Sequence, residues 1–409
     1  MTISRRGMLK AAGAGTALAG SGYAIPKALA EALNLPAALP DGMRAEAVLD
    51  VLPGKKPLIK LSYRPPNYET PLELLGKDGI TSNDAFFVRY HLADIPEVDA
   101  KTWKLQVGGE GANGVVELTL ADLKRMPAAE VTAVCQCSGN RRGLFSPHVP
   151  GVEWGYGAMG CARWRGARLK DVLATVGLKK EAVEIVLDGA DGPIVPKTPD
   201  FVKSIPLARA LDENTLVAYE MNGAPLPHWN GFPARIVIPG WTGTYWVKHL
   251  TSISAVTKPF DGFWMKSAYR IPVNKFPTEV FTTQTTEVNT PITEMVVNSL
   301  ITSHADGVQV KAGSAATLSG IAWDAGYGID KVEYSTDGGA SWKNAALGRD
   351  LGRFAFRPFS FTTPPLAAGN HKVSVRAENK KGQKQVTELI LNPAGYHHNV
   401  VQTLTLVAS

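Results

Sequence analysis

The segment Val134-Cys-Gln-Cys-Ser-Gly-Asn-Arg-Arg-Gly143 holds the residues best suited to chemistry in this chain. Cys137 is followed by Ser138 and Gly139, small residues that keep a sulfur clear of backbone crowding. Arg141 and Arg142 close by favour the thiolate, the form that ligates soft or high-valent metals. The same guanidinium groups offer planar, paired donors to an oxyanion held beside such a metal. Taken alone, the string also fits a buried structural cysteine flanked by surface arginines. The chain has 3 cysteines, Cys135, Cys137 and Cys161, and so odd and low a count argues against a disulfide framework. No Cys-x-x-Cys-His run occurs, so no haem is expected on this chain.

What must position these residues is read from the rest of the sequence. Across 409 residues, two domains behind a leader are the natural expectation. The 40 glycines and 28 prolines favour many turns and a strand-rich architecture over helical bundles. The net charge of +6 is concentrated at the start, where residues 1–30 carry Arg5, Arg6, Lys10 and Lys27 and no acid. The remainder is near neutral and shows no basic stripe, which argues against nucleic-acid binding. Paired arginines, a weakly apolar Ala/Gly stretch and Ala28-Leu-Ala30 together resemble a twin-arginine export signal over 1–30. No stretch is long and apolar enough for a membrane span, so a soluble periplasmic protein is expected.

Residues 31–82 are proline-rich, with Pro65-Pro66, and predict an irregular N-terminal wrap. Residues 83–280 mix short strands with helical turns, the pattern of an α+β domain. Trp103–Val107, Val183–Leu187 and Arg235–Ile238 predict strands, Thr119–Arg125 a capped helix, and Arg168–Leu173 the start of another. Residues 285–409 change texture. Val308–Lys311, Ala316–Ala322, Lys331–Ser335, Phe354–Phe361 and His371–Ala377 alternate with the two-residue period of half-buried strands. Asp337-Gly-Gly339 marks a hairpin turn among them, and the whole predicts an immunoglobulin-like β-sandwich.

Six strings, the cysteine string among them, stand in order: Phe87-Val-Arg-Tyr-His91, Cys137-Ser-Gly-Asn-Arg-Arg142, Ala162-Arg-Trp-Arg-Gly-Ala-Arg-Leu169, Ser204-Ile-Pro-Leu-Ala-Arg-Ala210, Gly231-Phe-Pro-Ala-Arg235 and Gly240-Trp-Thr-Gly-Thr-Tyr-Trp-Val-Lys248. Together they resemble the sulfite oxidase family of molybdopterin enzymes, above all its bacterial periplasmic sulfite dehydrogenases. The resemblance runs from about residue 60 to 400 and includes the C-terminal sandwich, which in that family serves dimerisation. It implies that Cys137 gives the protein thiolate to molybdenum, whose other ligands include two pterin sulfurs. It implies a substrate pocket lined by Arg89, Arg142 and Tyr269, with Trp154 at its floor. The pterin and its phosphate fall to Phe87, Arg89, His91, Asp191, Arg235, Trp246 and Lys248. The pterin-contacting histidine of animal members falls on Asn230, with His228 two residues earlier, and either fits that contact.

The resemblance has departures. Animal members place an arginine where this chain has Asn392-Pro-Ala-Gly395, so a less positive anion pocket is expected, with His91 as a replacement that can be charged or neutral near pH 7. Cys135 would point the same way as Cys137 on a strand, but one thiolate completes the family's coordination, so Cys135 is read as structural. The function implied is oxidation of sulfite to sulfate, with electrons passing to a c-type cytochrome, bound as a subunit or met transiently. Alternatives are a methionine-sulfoxide reductase, whose relatives generally lack the sandwich, and a nitrate reductase, whose plant members carry haem and flavin domains. A secreted, non-catalytic binding scaffold is the alternative of another class.

Overall fold

The computed structural model describes residues 49–76, 78–272 and 289–409. The expected export signal at 1–30 and the expected boundary at 280–285 lie outside the described residues. Residues 49–69, read as irregular, instead build strands. Leu49–Asp50, Leu58–Ser62 and Asn67–Glu69 pair in sequence, and Asn67–Glu69 pairs with Val88–Arg89. The prolines sit in the turn before Asn67 rather than in the ladder, so no strand hydrogen bond is lost. The wrap thereby fixes the register of Arg89.

Two five-stranded sheets follow. One orders Lys203–Pro206, Glu184–Gly189, Leu250–Val256, Lys104–Gly108 and Val116–Thr119, with Leu250–Val256 parallel to Lys104–Gly108. The other orders Ala224–Pro225, Leu216–Met221, Met159–Arg168 and Ala128–Gln136, and Arg235–Val237 branches from Leu216–Met221. Leu105, Leu187, Ile205 and Ile253 of the first sheet share one buried core with Ala162, Trp164, Val217 and Ile236 of the second. Burying each of the large apolar side chains contributes roughly 1.5–3 kcal/mol.

The helices are thinner than the α+β reading implies. Leu120–Arg125, Leu169–Ala174, Leu207–Ala210 and Phe263–Lys266 each make only one or two turns. Leu120–Arg125 has the predicted cap: Thr119 accepts from the Asp122 N–H while the Asp122 carboxylate accepts from the Thr119 N–H. Pro206 and Gly262 open two of the others, and the sequence returns to a turn within six residues each time. Among the described residues no helix is long and apolar enough to cross a membrane.

The second domain is a pair of facing sheets. Asn298–Ile301, Thr317–Trp323, Arg357–Thr362 and Ala346–Leu347 form one; Val308–Val310, Gln402–Ala408, Gly369–Asn379, Ile329–Ser335 and Lys343–Asn344 form the other. Leu318, Phe359, Val373 and Leu406 fill the space between them. The Asp337-Gly-Gly turn links Ile329–Ser335 to Lys343–Asn344, its carboxylate accepting from Ser341. A third core joins the two domains: Leu72, Leu75, Val134, Met159 and Cys161 meet Leu300, Ile321, Trp323 and Phe356. Cys161 is thus part of this core.

Candidate molybdopterin and anion site

The strand Ala128–Gln136 pairs with Met159–Arg168 as far as Gln136 opposite Met159, and Cys137 is the first residue beyond the ladder. Its N–H still bonds the Ala158 carbonyl at 2.9 Å, and its carbonyl accepts the Asn140 N–H at 3.0 Å. Arg141 then turns the chain at φ 68°, an uncommon conformation for a residue with a side chain. The strain is held by the second domain. The Arg141 guanidinium donates to the Ser299 and Val400 carbonyls, and Trp323 donates its indole N–H to the Gln136 side chain. The cysteine turn is therefore clamped by residues more than 150 positions away in sequence.

Cys137 opens onto a partly open cavity. Ten of the residues expected from sequence line it: Phe87, Arg89, His91, Cys137, Asp191, Asn230, Arg235, Trp246, Lys248 and Tyr269. At one end, Arg235 donates to the carbonyls of Asn230 and Trp246 at 3.0 and 2.9 Å, between the rings of Trp164 and Trp246. Lys248 lies on the face of Tyr90 and donates to the Trp229 carbonyl at 3.2 Å. Burial, then the nearby Arg235, pushes the Lys248 ammonium well below its ordinary range, and Asp191 opposes this. Burial likewise lifts Asp191 to about 6 against the pull of Lys248. An anionic group placed here would relieve two crowded cations at once.

Tyr90 is oriented from behind. Its hydroxyl meets His249 Nε2 at 2.7 Å, and His249 Nδ1 meets the Phe232 carbonyl at 2.7 Å. The carbonyl requires Nδ1 to carry the proton, so Nε2 accepts from Tyr90. Asn230 is fixed by Lys55, whose buried ammonium donates to the Asn230 side chain and to the carbonyls of Asn83 and Phe86. Asn230 faces the cavity, whereas His228 sits half-buried outside it, against the rings of Trp229 and His249.

At the other end, Arg89 is held by the Asn67 side chain and the Tyr90 carbonyl. His91 Nε2 hydrogen-bonds the Tyr269 hydroxyl, and its ring stacks on Phe201 at 3.6 Å between centroids. Burial, then Arg89, Lys248 and Lys203, pushes His91 well below its ordinary range. His91 is a neutral imidazole near pH 7 and brings no charge to replace an arginine. Tyr269 has φ 57°, an outlier of the kind that clusters at functional sites. Its carbonyl accepts the Ile292 N–H at 2.7 Å, and its ring stacks on Tyr396 at 5.5 Å with 9° between planes.

Two expected residues stand off the lining besides His228. Arg142 gives Nε to the Ala394 carbonyl at 2.9 Å and Nη1 to the Val152 carbonyl at 3.1 Å, beneath the ring of Tyr396. It runs through a sleeve of glycines. A Cβ on Gly139 would fall 2.4 Å from the guanidinium, and one on Gly395 would fall 2.7 Å from Cγ. Trp154 is fully buried against the cysteine turn, its carbonyl accepting the Gly143 N–H at 2.9 Å. Conversely Cys135, read as structural, does line the cavity, with Sγ 4.0 Å from Arg235. Burial raises its thiol to about 11, which leaves it protonated. Sequence reasoning missed Lys55, Tyr90, His249, Lys203 and Tyr396. Tyr90 alone carried a signal, standing between Arg89 and His91 in the same string.

The lining fits a polar, anionic, metal-bearing cofactor. Ser138 Oγ, Arg235 Nε and Thr244 Oγ1 are buried on this wall without a partner in the protein, and such groups are normally satisfied. Among the described residues no three His, Cys, Asp or Glu side chains converge as a metal cage. A metal held by Cys137 would take its further ligands from the cofactor itself.

Comparison with known proteins agrees with this geometry. The chain is 32% identical over 329 residues to the sulfite oxidase of Arabidopsis thaliana, covering 76% of this chain and 81% of the relative. The chain belongs to the sulfite oxidase family of molybdopterin oxidoreductases. A model of the oxidoreductase molybdopterin binding domain matches residues 91–264, and one of the Mo-co oxidoreductase dimerisation domain matches 289–401. Mitochondrial sulfite oxidase of Mus musculus is 39% identical over 303 residues, which cover 72% of this chain but 54% of that protein. The chain thus spans about half the length of that relative. In fold it is similar to the sulfane dehydrogenase SoxCD of Paracoccus pantotrophus, with a TM-score of 0.73 at 22% identity, covering 94% of this chain and 90% of that one. An oxidoreductase domain across the cavity displaces the reading of a non-catalytic scaffold.

Proposed function

We propose that this chain oxidises sulfite to sulfate on a molybdenum–molybdopterin cofactor and passes the two electrons to a c-type cytochrome. The observation that carries the reading is one cavity on which the Cys137 thiol, Arg89, Arg235, Lys248 and Tyr269 converge. When bound, the cofactor supplies oxygen-atom transfer and takes up two electrons, while water provides the oxygen and two protons leave. Cys137 anchors the metal, and its turn is kept in place by Arg141 and the second domain. Arg235 and Lys248 hold the cofactor's phosphate, with Trp246 and the Trp164 ring limiting water around Arg235. Arg89 neutralises and orients the substrate anion, which a preorganised donor in a dry site does well. The Tyr269–His91 hydrogen bond holds one proton between Oη and Nε2 and gives protons a path off the reacting site.

The twin-arginine leader, the periplasmic location and a homodimer through the second domain are part of the same proposal. Rapid mixing of the metal-loaded protein with sulfite and oxidised cytochrome c tests it. Cytochrome reduction that saturates with sulfite is expected, without turnover of methionine sulfoxide or nitrate. Turnover of either of those acceptors with no response to sulfite would reverse the assignment.

A further inference from the structure

Lys203 is a fully buried ammonium that none of the sequence strings contains. It lies on the edge strand Lys203–Pro206 and donates to the Trp264 carbonyl at 2.6 Å. Its Nζ stands 4.6 Å from the centroid of Tyr245 and 5.2 Å from that of Tyr269. Trp264 and Tyr269 both pack on His91 and Phe201, so Lys203 sits directly behind the aromatic wall of the cavity's anion end. No carboxylate of the described residues bonds it or forms an ion pair with it. Arg270 acts on it directly, and it joins Arg89 and Lys248 in acting on His91; Asp188 follows its partner Leu187 on the paired strand. Tyr245 and Tyr269 face it as neutral phenols, both pushed up chiefly by burial, and Glu184 on the adjacent strand acts on Tyr245.

A buried cation without a counter-ion is costly unless something anionic compensates it. His91 is neutral and Arg142 is spent on carbonyls, so the anion end otherwise relies on Arg89 alone. We propose that Lys203 is a positioning residue whose charge, acting through the Tyr269 face, completes a site for a small tetrahedral or pyramidal dianion and keeps Tyr269 aimed at it. This rests on the sulfite-oxidising reading and adds the residue that sets anion affinity. Burial and Arg270 bring Lys203 down to about 7 in the free protein. A dianion in the cavity favours the charged form, so binding above that pH draws a proton onto Lys203.

The test is calorimetric titration of the metal-loaded protein with sulfate near pH 8, in two amine buffers of different ionisation enthalpy. Sulfate is used because, unlike sulfite, it does not itself titrate there. The wild-type protein is expected to take up a sizeable fraction of a proton per sulfate. Lys203→Met should bind sulfate about tenfold more weakly, the scale of one nearby charge at intermediate dielectric, and take up no proton. Lys203→Arg should bind as wild type and also take up no proton, because a guanidinium is already charged. A purely structural lysine would change melting temperature and metal content but leave proton uptake in place. Unchanged affinity or persistent uptake in Lys203→Met overturns the assignment of Lys203. Failure of wild-type protein to bind sulfate at all would instead sink the anion site itself, and the proposal with it.

Discussion

At the Arg235 end of the cavity, each cation is tied to a backbone carbonyl of the segment that carries it, whereas at the other end Tyr269 is tied to His91 and to the second domain. Arg235 and Lys248 donate to Asn230, Trp246 and Trp229, all within twenty residues. Tyr269 depends on His91 at its hydroxyl, Ile292 at its carbonyl and Tyr396 on its ring. Local ties make a rigid cradle suited to a large cofactor that is bound once. Long-range ties allow the reacting end to be set by the packing of two domains, at the cost of a strained φ at Tyr269. The Cys137 turn lies between the two and borrows from both, with local bonds to Ala158 and Asn140 and a distant clamp through Arg141.

The contrast can be broken by mutation. Cys137→Ser should cost the most, lowering sulfite turnover by more than about two orders of magnitude, since even residues that only support a metal ligand are worth 10–100-fold. Circular dichroism should show the fold intact, and a comparable turnover in the variant would remove Cys137 from the chemistry. Arg235→Met comes next. It strands the buried Asn230 and Trp246 carbonyls, at about 1–3 kcal/mol each, so both melting temperature and bound molybdopterin should fall. Full cofactor content by fluorescence of its oxidised pterin would show that the cradle does not need this cation.

At the other end the effect should be smaller and kinetic. Tyr396→Leu removes the stack on Tyr269 and the surface under Arg142, and should raise the sulfite KM several-fold with cofactor content unchanged. Tyr396→Phe keeps both contacts and should behave as wild type; equal loss in the two variants would mean the hydroxyl, not the stack, matters.

The smallest effect concerns the support beneath the cysteine turn. Glu69 is buried, accepts the Gly155 N–H at 2.7 Å, and burial raises its carboxyl to about 8. Between its ordinary range and about 8 the folded protein holds a proton that the unfolded chain has lost, so stability must fall as pH rises through that window. Glu69→Gln should flatten the decline in melting temperature from pH 5 to 8, and an unaltered slope would show that other groups cause it.

The two ends also differed in how far the sequence revealed them. The cradle was legible because its residues stand in short strings whose strands and turns bring them together locally: Gly231–Arg235 and Gly240–Lys248 place both cations and Trp246. The capping box at Thr119 and Asp122 was legible for the same reason. The anion end was legible only in part: Arg89, His91 and Tyr269 were expected, whereas Lys203, Ile292 and Tyr396 reach it only through packing of separate strands and of the second domain. Arg142 adjoins the cysteine in sequence, but the left-handed Arg141 turns the chain and threads Arg142 among Gly139, Gly151 and Gly395, off the lining yet near enough for its charge to act on Tyr269. Residues 49–69 looked irregular because Pro65-Pro66 masks three short strands that only the Val88–Arg89 pairing completes.

The central claim is that Cys137 completes the coordination of a pterin-held molybdenum that sulfite reduces. X-ray absorption at the molybdenum edge, on the purified full chain before and after anaerobic sulfite, tests it most directly. The account predicts three sulfur neighbours, an edge that moves to lower energy with sulfite, and two sulfur neighbours in Cys137→Ser. Molybdenum with the same sulfur count in both proteins, or an edge indifferent to sulfite, would contradict it.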